Sequence, residues 1–435
     1  MPADLVRALL IAALATAGAW AIRRARLPWS PWVLALWWCT PPLLTAYAWA
    51  LLPGLIGPWP HLLHGLLAGF RCMPVAACAA WAVAPAPLSP AGLHAAGLAG
   101  MAPWRRGWWA LSRGESRRWL VALLVTATVA FAEFELASRL AVGAWAVRLF
   151  DAQAGGTDLQ STLVAALPGI AVQLAMLGLA LLLIRGRGEP AEPLRARCGM
   201  GLVVLGAGTV IVLLAPLGVV LIDAARDWRG VVEHLVIGRA LVATLVFATG
   251  AAIAAWLAAG LPWIASAAVP GLAGSLVVGL TVATVIRLPS LDRLIGTPIP
   301  LLIALTVLLL PAAVVGRALV AAAATASGRH AAALLASGTP AQRRSARILG
   351  LDLGGRTALR VVAALGLLAA GDCAASAILA PADMGTALPL LYNFMHYGRS
   401  PALSGRLLVT VATPLVILAA GELLLAAWSR WCRRG

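Results

Sequence analysis

Residues 299–324 read IPLLIALTVLLLPAAVVGRALVAAAA, an apolar run in which Arg317 is the one charged residue. As an α-helix rising about 1.5 Å per residue, the run is longer than the roughly 30 Å hydrocarbon core of a bilayer. Lipid offers backbone groups no hydrogen-bond partner, so a segment of this kind crosses as a helix and not as an open sheet. Working outward from it, comparable runs lie near 5–22, 30–52, 62–84, 119–141, 161–184, 200–222, 236–258, 262–286, 358–380 and 405–428. The expected fold is an all-α polytopic membrane helix bundle of about eleven transmembrane helices.

Composition supports this reading and removes others. The 435 residues are 62% hydrophobic and 11% charged, with a mean hydropathy of +0.92. An ordinary soluble domain carries about 25% charged residues, so this chain has too little polar surface to coat a globule. The formal charge of +17 is carried by Arg alone, because the sequence holds no Lys. The Arg residues sit in short segments between apolar runs and form no continuous basic domain, so membrane topology accounts for them and nucleic acid is not an expected partner. A P-loop needs a Lys to reach the terminal phosphates. The chain is therefore not read as an enzyme, and any ATP would be handled by another subunit. The six Cys residues, at 39, 72, 78, 198, 373 and 432, show neither C-x-x-C nor zinc-finger spacing. No metal or cofactor is expected.

Charge also sets the orientation. In the first run the basic residues Arg23, Arg24 and Arg26 follow the apolar stretch, the reverse of a cleaved signal peptide. Alternating the spans puts 23–26, 105–118, 185–197, 329–356 and 430–434 on one side. The opposite loops, 142–160, 223–235 and 381–404, mix Arg with Asp and Glu. By the positive-inside rule the N-terminus lies outside and the C-terminus in the cytoplasm. Many of the eighteen Trp residues stand near span ends, as an interfacial belt would require.

A tandem repeat runs through the chain. The loop at 85–118 contains HAAGLAGMAPWRR from His94 to Arg106, and the loop at 325–357 contains HAAALLASGTPAQRR from His330 to Arg344. Pro74 and Pro311 differ by 311 − 74 = 237, Pro103 and Pro340 by 340 − 103 = 237, and Glu135 and Asp372 by 372 − 135 = 237. The offset divides the chain into repeats at 1–190 and 191–435, the first lacking the leading helix that 200–222 gives the second. Parallel repeats of this kind are a common way to build a transporter.

The two loops resemble the cytoplasmic coupling loops of type I ABC importer permeases, whose pattern is E-A-A-x-x-x-G-x(9)-I-x-L-P. The first gives His94, Ala95, Ala96 and then Gly100. The second gives Ala331, Ala332 and then Ser337, or Gly338 with a shift of one. Pro103 with Arg105 and Arg106, and Pro340 with Arg343 and Arg344, follow as in that family. The family's Glu is replaced by His94 in one loop and by Ala331 or Ala332 in the other, and the closing I-x-L-P is degraded in both. The segment from Gly371–Asp372 through Tyr392, Asn393, His396 and Tyr397 is similar to fused two-repeat permeases of the ferric-iron type. The resemblance implies a bacterial plasma-membrane permease with two copies of a separate ABC ATPase on its coupling loops. It also implies an extracytoplasmic binding protein that delivers solute, ferric iron first and thiamine or phosphonate behind it.

Several polar residues fall inside or beside spans. Glu133, Glu135 and Asp372 lie some fourteen to sixteen residues past the cytoplasmic ends of their spans, roughly 20–25 Å at 1.5 Å per residue. Acids at that depth line a translocation path or meet a partner such as Arg71 or Arg139. Arg71 itself interrupts the third run and is read as snorkelling or paired within the bundle. Tyr392, Asn393, His396 and Tyr397 are placed in an outer loop, to meet a binding protein or to anchor a helix at headgroup level. His61 and His64 are read as interfacial, and Glu422 as reaching Arg430 or solvent. Two other classes remain open. An ion-coupled carrier would use Glu133, Glu135 or Asp372, and a membrane-embedded enzyme would need an acidic or His cluster on a sizeable loop.

Overall fold

The structure is a computed structural model that describes all residues except 26, 28, 53–58, 84–89, 114–115, 185–198, 228–237, 262–267, 324–325, 397–400 and 435. The described residues are helical, and no strand occurs among them. Among the described residues, eight helices are long and apolar enough to cross a membrane: Pro2–Ala25, Pro60–Trp81, Leu159–Leu183, Gly199–Ala224, Gly238–Ala258, Ile299–Ala321, Leu353–Ala370 and Pro401–Leu424. The chain is a multi-pass membrane protein.

The other three apolar runs stand as shorter or broken helices among the described residues. The run at 30–52 divides into Ser30–Cys39 and Pro42–Ala50, because Pro41 and Pro42 provide no N–H to continue the first helix. The run at 119–141 ends at Phe131 and resumes as Glu135–Arg139. Of 262–286, the structure shows a short 3₁₀ turn at Val269–Ala273 and a helix at Ser275–Val285, and 262–267 lie outside the described residues.

In chain order we name the helices α1 (Pro2–Ala25), α2 (Ser30–Cys39), α3 (Pro42–Ala50), α4 (Pro60–Ala82), α5 (Pro90–Leu98), α6 (Pro103–Arg113), α7 (Ser116–Phe131), α8 (Glu135–Arg139), α9 (Trp145–Ala154) and α10 (Leu159–Ile184). There follow α11 (Gly199–Ala224), α12 (Gly238–Ala258), α13 (Ser275–Val285), α14 (Ile299–Ala323), α15 (Ala326–Ala336) and α16 (Pro340–Gly350). The last four are α17 (Arg356–Ala370), α18 (Ala374–Leu379), α19 (Ala387–His396) and α20 (Pro401–Arg434).

The chain forms two compact units, Met1–Ile222 with Leu272–Thr284, and Asp223–Gly271 with Val285–Gly435. In the first, α1, α4 and α7 pack on one another, with α10 against α7 and α11 against α1. Buried Ala8, Ala12, Ala15 and Ala19 recur at helical spacing along α1. Small side chains of this kind let membrane helices approach closely, where packing and not water expulsion drives association. In the second unit α12, α14 and α17 form the corresponding trio. The order of elements from α4 to α10 recurs from α14 to α20. Helices α6 and α16 share the 237 offset at both ends, since 340 − 103 = 237 and 350 − 113 = 237.

Helix α11 belongs to the first unit by packing, and local chemistry shows how it is fastened there. It contains a π-helical turn at Val210–Leu214, which loosens the i→i−4 ladder. The Trp49 indole N–H donates to the Ile211 carbonyl at 3.1 Å and the Thr45 hydroxyl to the Val212 carbonyl at 3.3 Å. The Trp37 indole reaches the Thr209 hydroxyl at 3.3 Å. The broken pair α2–α3 thus supplies donors to carbonyls the π turn presents. At α10, the exposed Asp158 accepts the Ser161 backbone N–H at 2.9 Å as an N-cap. Hydrogen bonds from the Ser161 hydroxyl and backbone hold its carboxyl below the usual range.

Candidate functional site

Each unit carries one helix hairpin between two of its core helices, α5–α6 in the first and α15–α16 in the second. The hairpins hold the candidate coupling residues. In the first, α5 closes with a hydrogen bond from Met101 N–H to the Ala96 carbonyl at 3.0 Å, and Gly100 sits at φ 81°. This is the six-to-one closure of a Schellman motif, whose left-handed residue is usually glycine. Gly100→Ala is expected to cost about 1–2 kcal/mol locally, read as faster amide exchange over 95–101 with the rest of the chain unchanged. Ser337, which stands at the related place, is not among the described residues with positive φ. Its hydroxyl donates to the Leu334 carbonyl at 2.8 Å.

The second hairpin turns on a capping box. The Gln342 N–H donates to the Thr339 hydroxyl at 3.4 Å, and the Thr339 N–H donates to the Gln342 side-chain oxygen at 2.7 Å. Two of the orphan donors at the start of α16 are satisfied reciprocally. Pro340 occupies the first helical position, where its missing N–H costs nothing.

The geometry separates the paired arginines. Arg106 and Arg343 stand at the shared offset, 343 − 106 = 237, and both fold back on their own hairpin. The Arg106 guanidinium lies over Gly97 of α5, and Arg343 Nε donates to the Gly338 carbonyl at 3.1 Å. Arg105 and Arg344 are exposed, with Arg105 5.2 Å from the Trp104 ring centroid. His94, Ala95, Pro103, Ala331 and Pro340 are also exposed, and Ala96, Ala332 and Gly338 are half-buried. Strongly exposed apolar side chains among the described residues of the two hairpins are Leu98 at 79%, Trp104 at 70% and Leu334 at 61%. The two leucines are related in sequence. Each stands four residues after a His, in His94-Ala-Ala-Gly-Leu98 and His330-Ala-Ala-Ala-Leu334.

The acids occupy helix breaks. Glu133 lies between α7 and α8 and accepts N–H from Leu136 at 2.6 Å and from Ala137 at 3.1 Å. Asp372 lies between α17 and α18 and accepts N–H from Ser376 at 2.9 Å. The preceding dihedrals agree, with φ −113° and ψ −46° at Phe134 against φ −109° and ψ −46° at Cys373. Asp372 therefore corresponds to Glu133, at 372 − 133 = 239, and not to Glu135 as the uniform offset suggests. The second unit has two more residues than the first between its Pro-started helix and its acid, and the π turn at Leu351–Gly355 falls in that interval.

Around Glu133 the first unit builds a polar cluster. His64 is 2% exposed, and its Nε2 is 2.9 Å from Glu133 Oε2. The interfacial reading of His64 is thereby corrected. Arg71 lies two turns further along the same face of α4, since 71 − 64 = 7. It donates to the Thr40 carbonyl at 2.5 Å and interacts electrostatically with Glu135 and Glu133. That carbonyl is available because the Leu44 N–H donates to Pro41 instead. The corresponding positions in α14 are Leu301 and Leu308 (64 + 237 and 71 + 237).

In the second unit Glu422 pairs with Arg360, at 2.8 and 3.2 Å, and the Arg430 side chain lies outside the described residues. Tyr392 lies inside helix α19 and is 3% exposed, while Asn393 is exposed. The first turn of α19 is tied to α12 by the Ala387 N–H, which donates to the Thr244 hydroxyl at 2.9 Å. His396 is the last residue of α19, and Tyr397 lies outside the described residues. No group of three or more His, Cys, Asp or Glu with metal-binding geometry occurs among the described residues. Comparison with family models, with curated proteins and with solved structures finds no match to this chain.

Proposed function

We infer that this chain is the membrane-spanning permease subunit of an ABC importer with two fused permease repeats. The observation that carries the reading is the recurrence, once in each unit, of an exposed helix hairpin at a fixed offset between two core helices. In that reading the hairpins seat two copies of a separate ATPase, whose nucleotide cycle drives alternating access. The chain supplies no nucleotide site of its own. A binding protein outside the bacterial plasma membrane delivers the solute, with ferric iron as the leading cargo and thiamine or phosphonate next. The resemblance of the closing segment to ferric-iron permeases supports that cargo. Glu133, Glu135 and Asp372 are the acids proposed for the path. Glu133 and Asp372 already hold backbone N–H groups, so a passing cation would meet carboxylates fixed in orientation.

Purification of the chain from its native membrane tests the reading. An ATPase bearing a P-loop is expected to accompany it, and to be lost when 94–106 and 330–344 are replaced by Gly/Ser linkers. Absence of any such ATPase, or its retention after both replacements, would contradict the permease assignment.

The buried His64–Glu133–Arg71 cluster favours one rival, a carrier coupled to a proton or cation gradient. Such a carrier keeps transporting when ATP is depleted and the membrane potential is held. The permease stops.

A further inference from the structure

We propose that each hairpin is a two-point dock for an acidic protein groove, in which Leu98 or Leu334 fills an apolar pocket and Arg105 or Arg344 meets a partner carboxylate. The proposal rests on the permease reading and specifies the surface its ATPase must present.

Four observations carry it. Helices α5, α6, α15 and α16 contain no Asp or Glu, so their charged contacts must be made with anions. Both hairpins combine the same two features, a leucine more than half exposed and an outward arginine. In each copy one arginine of the pair, Arg106 or Arg343, already touches its own hairpin, with Arg106 half-buried and Arg343 exposed. Finally, the start of α16 is held by its capping box before any partner arrives, so little ordering entropy remains to oppose binding.

For the second hairpin, exposure also bears on the choice between a protein and a lipid surface. A helix lying in the membrane interface needs an apolar face to immerse. In α16 the six residues from Pro340 to Ser345 are all exposed, more than one full turn of about 3.6 residues. That turn presents Gln342, Arg343, Arg344 and Ser345 around its circumference and has no face to insert. A proteinaceous groove supplies both the cover and the counter-charge. An arginine also suits it well, because its planar fork pairs with a carboxylate in a fixed geometry.

The absence of Lys from the sequence makes the test specific. Arg105→Lys and Arg344→Lys each place a single side-chain amine on the chain while keeping the charge. A zero-length carbodiimide then joins that amine to any carboxylate in contact, forming an amide as the activated oxygen leaves with the urea. A photoreactive residue at position 98 or 334 independently reports the neighbour of each leucine. Both reactions are run on the full chain in native membranes, and the adducts are sequenced by mass spectrometry.

The expected result is an amide from R105K and R344K to Asp or Glu of a P-loop ATPase, with the same protein captured at 98 and 334. Arg106→Lys, half-buried over Gly97, serves as the control and yields little adduct. Adduct yield falls as salt rises from 0.1 to 1 M, where the Debye length shrinks from ~10 to ~3 Å. If the ATPase is captured at 98 and 334 but R105K and R344K give no adduct, or no more than R106K, the acidic dock is wrong and the permease reading stands. If no ATPase is captured by any route, the permease reading fails and the dock with it. Capture of lipid alone at 98 and 334 would overturn the dock in favour of a membrane-facing surface.

Discussion

Glu133→Ala is expected to destabilise the protein by about 1–3 kcal/mol, the cost of leaving its hydrogen-bond donors unsatisfied. The carboxylate holds two backbone N–H groups of α8 and faces buried His64. It also helps to balance Arg71, which lies inside the bundle. Removing it leaves those part-buried donors without their acceptor. Asp372→Ala provides the comparison at the corresponding helix break, where Leu301 and Leu308 stand at the positions of His64 and Arg71. Loss of its bond from the Ser376 N–H removes a cap worth about 0.5–2 kcal/mol. The measurement is the temperature at which each purified variant loses its monodisperse elution profile in one detergent. Equal losses would show that the cluster around Glu133 contributes no more than the cap.

The second large effect concerns the seat of α11 on α1. A methyl group added at Gly201 would overlap the carbonyl oxygen of Ala21 and the methyl of Ala25. Backbone cannot swing aside as a side-chain tip can, so α11 must shift away from α1. Such overpacking costs typically 1–3 kcal/mol and occasionally more. Gly206 lies on the same helix with nothing within 4 Å of a Cβ built there. Gly206→Ala should therefore be neutral or mildly stabilising, because alanine is the better helix former by up to ~1 kcal/mol. A Gly201→Ala variant with the thermal profile of Gly206→Ala would mean that α11 is not held against α1.

Much of this architecture was readable before any coordinates. Apolar runs mark membrane helices because their length and composition are set by the bilayer. The 237 offset survives because proline acts locally. Pro103 and Pro340 each open a helix, so α6 and α16 match end for end. Where residues act through distant partners the signal disappears. His64 in an apolar run looks like decoration, since its partner lies 69 positions away. The break at Ala132–Phe134 contains no proline or glycine, and what defines it is a carboxylate turning back onto the next helix. The Pro41–Pro42 pair was visible, yet hydropathy averages over it and reports one span. A uniform offset likewise pairs Asp372 with Glu135, because it has no means of registering the π turn at Leu351–Gly355. The division of labour between Arg105 and Arg106, or Arg343 and Arg344, depends on which way each side chain turns. Adjacent identical letters carry no such information.

The account depends on both hairpins facing the compartment in which an ATPase works. A membrane-impermeant amine reagent applied to R105K and R344K chains tests this, with the modified position located after digestion. The account predicts that neither introduced amine reacts in intact cells and that both react once the membrane is opened. Modification of either one from outside would contradict it.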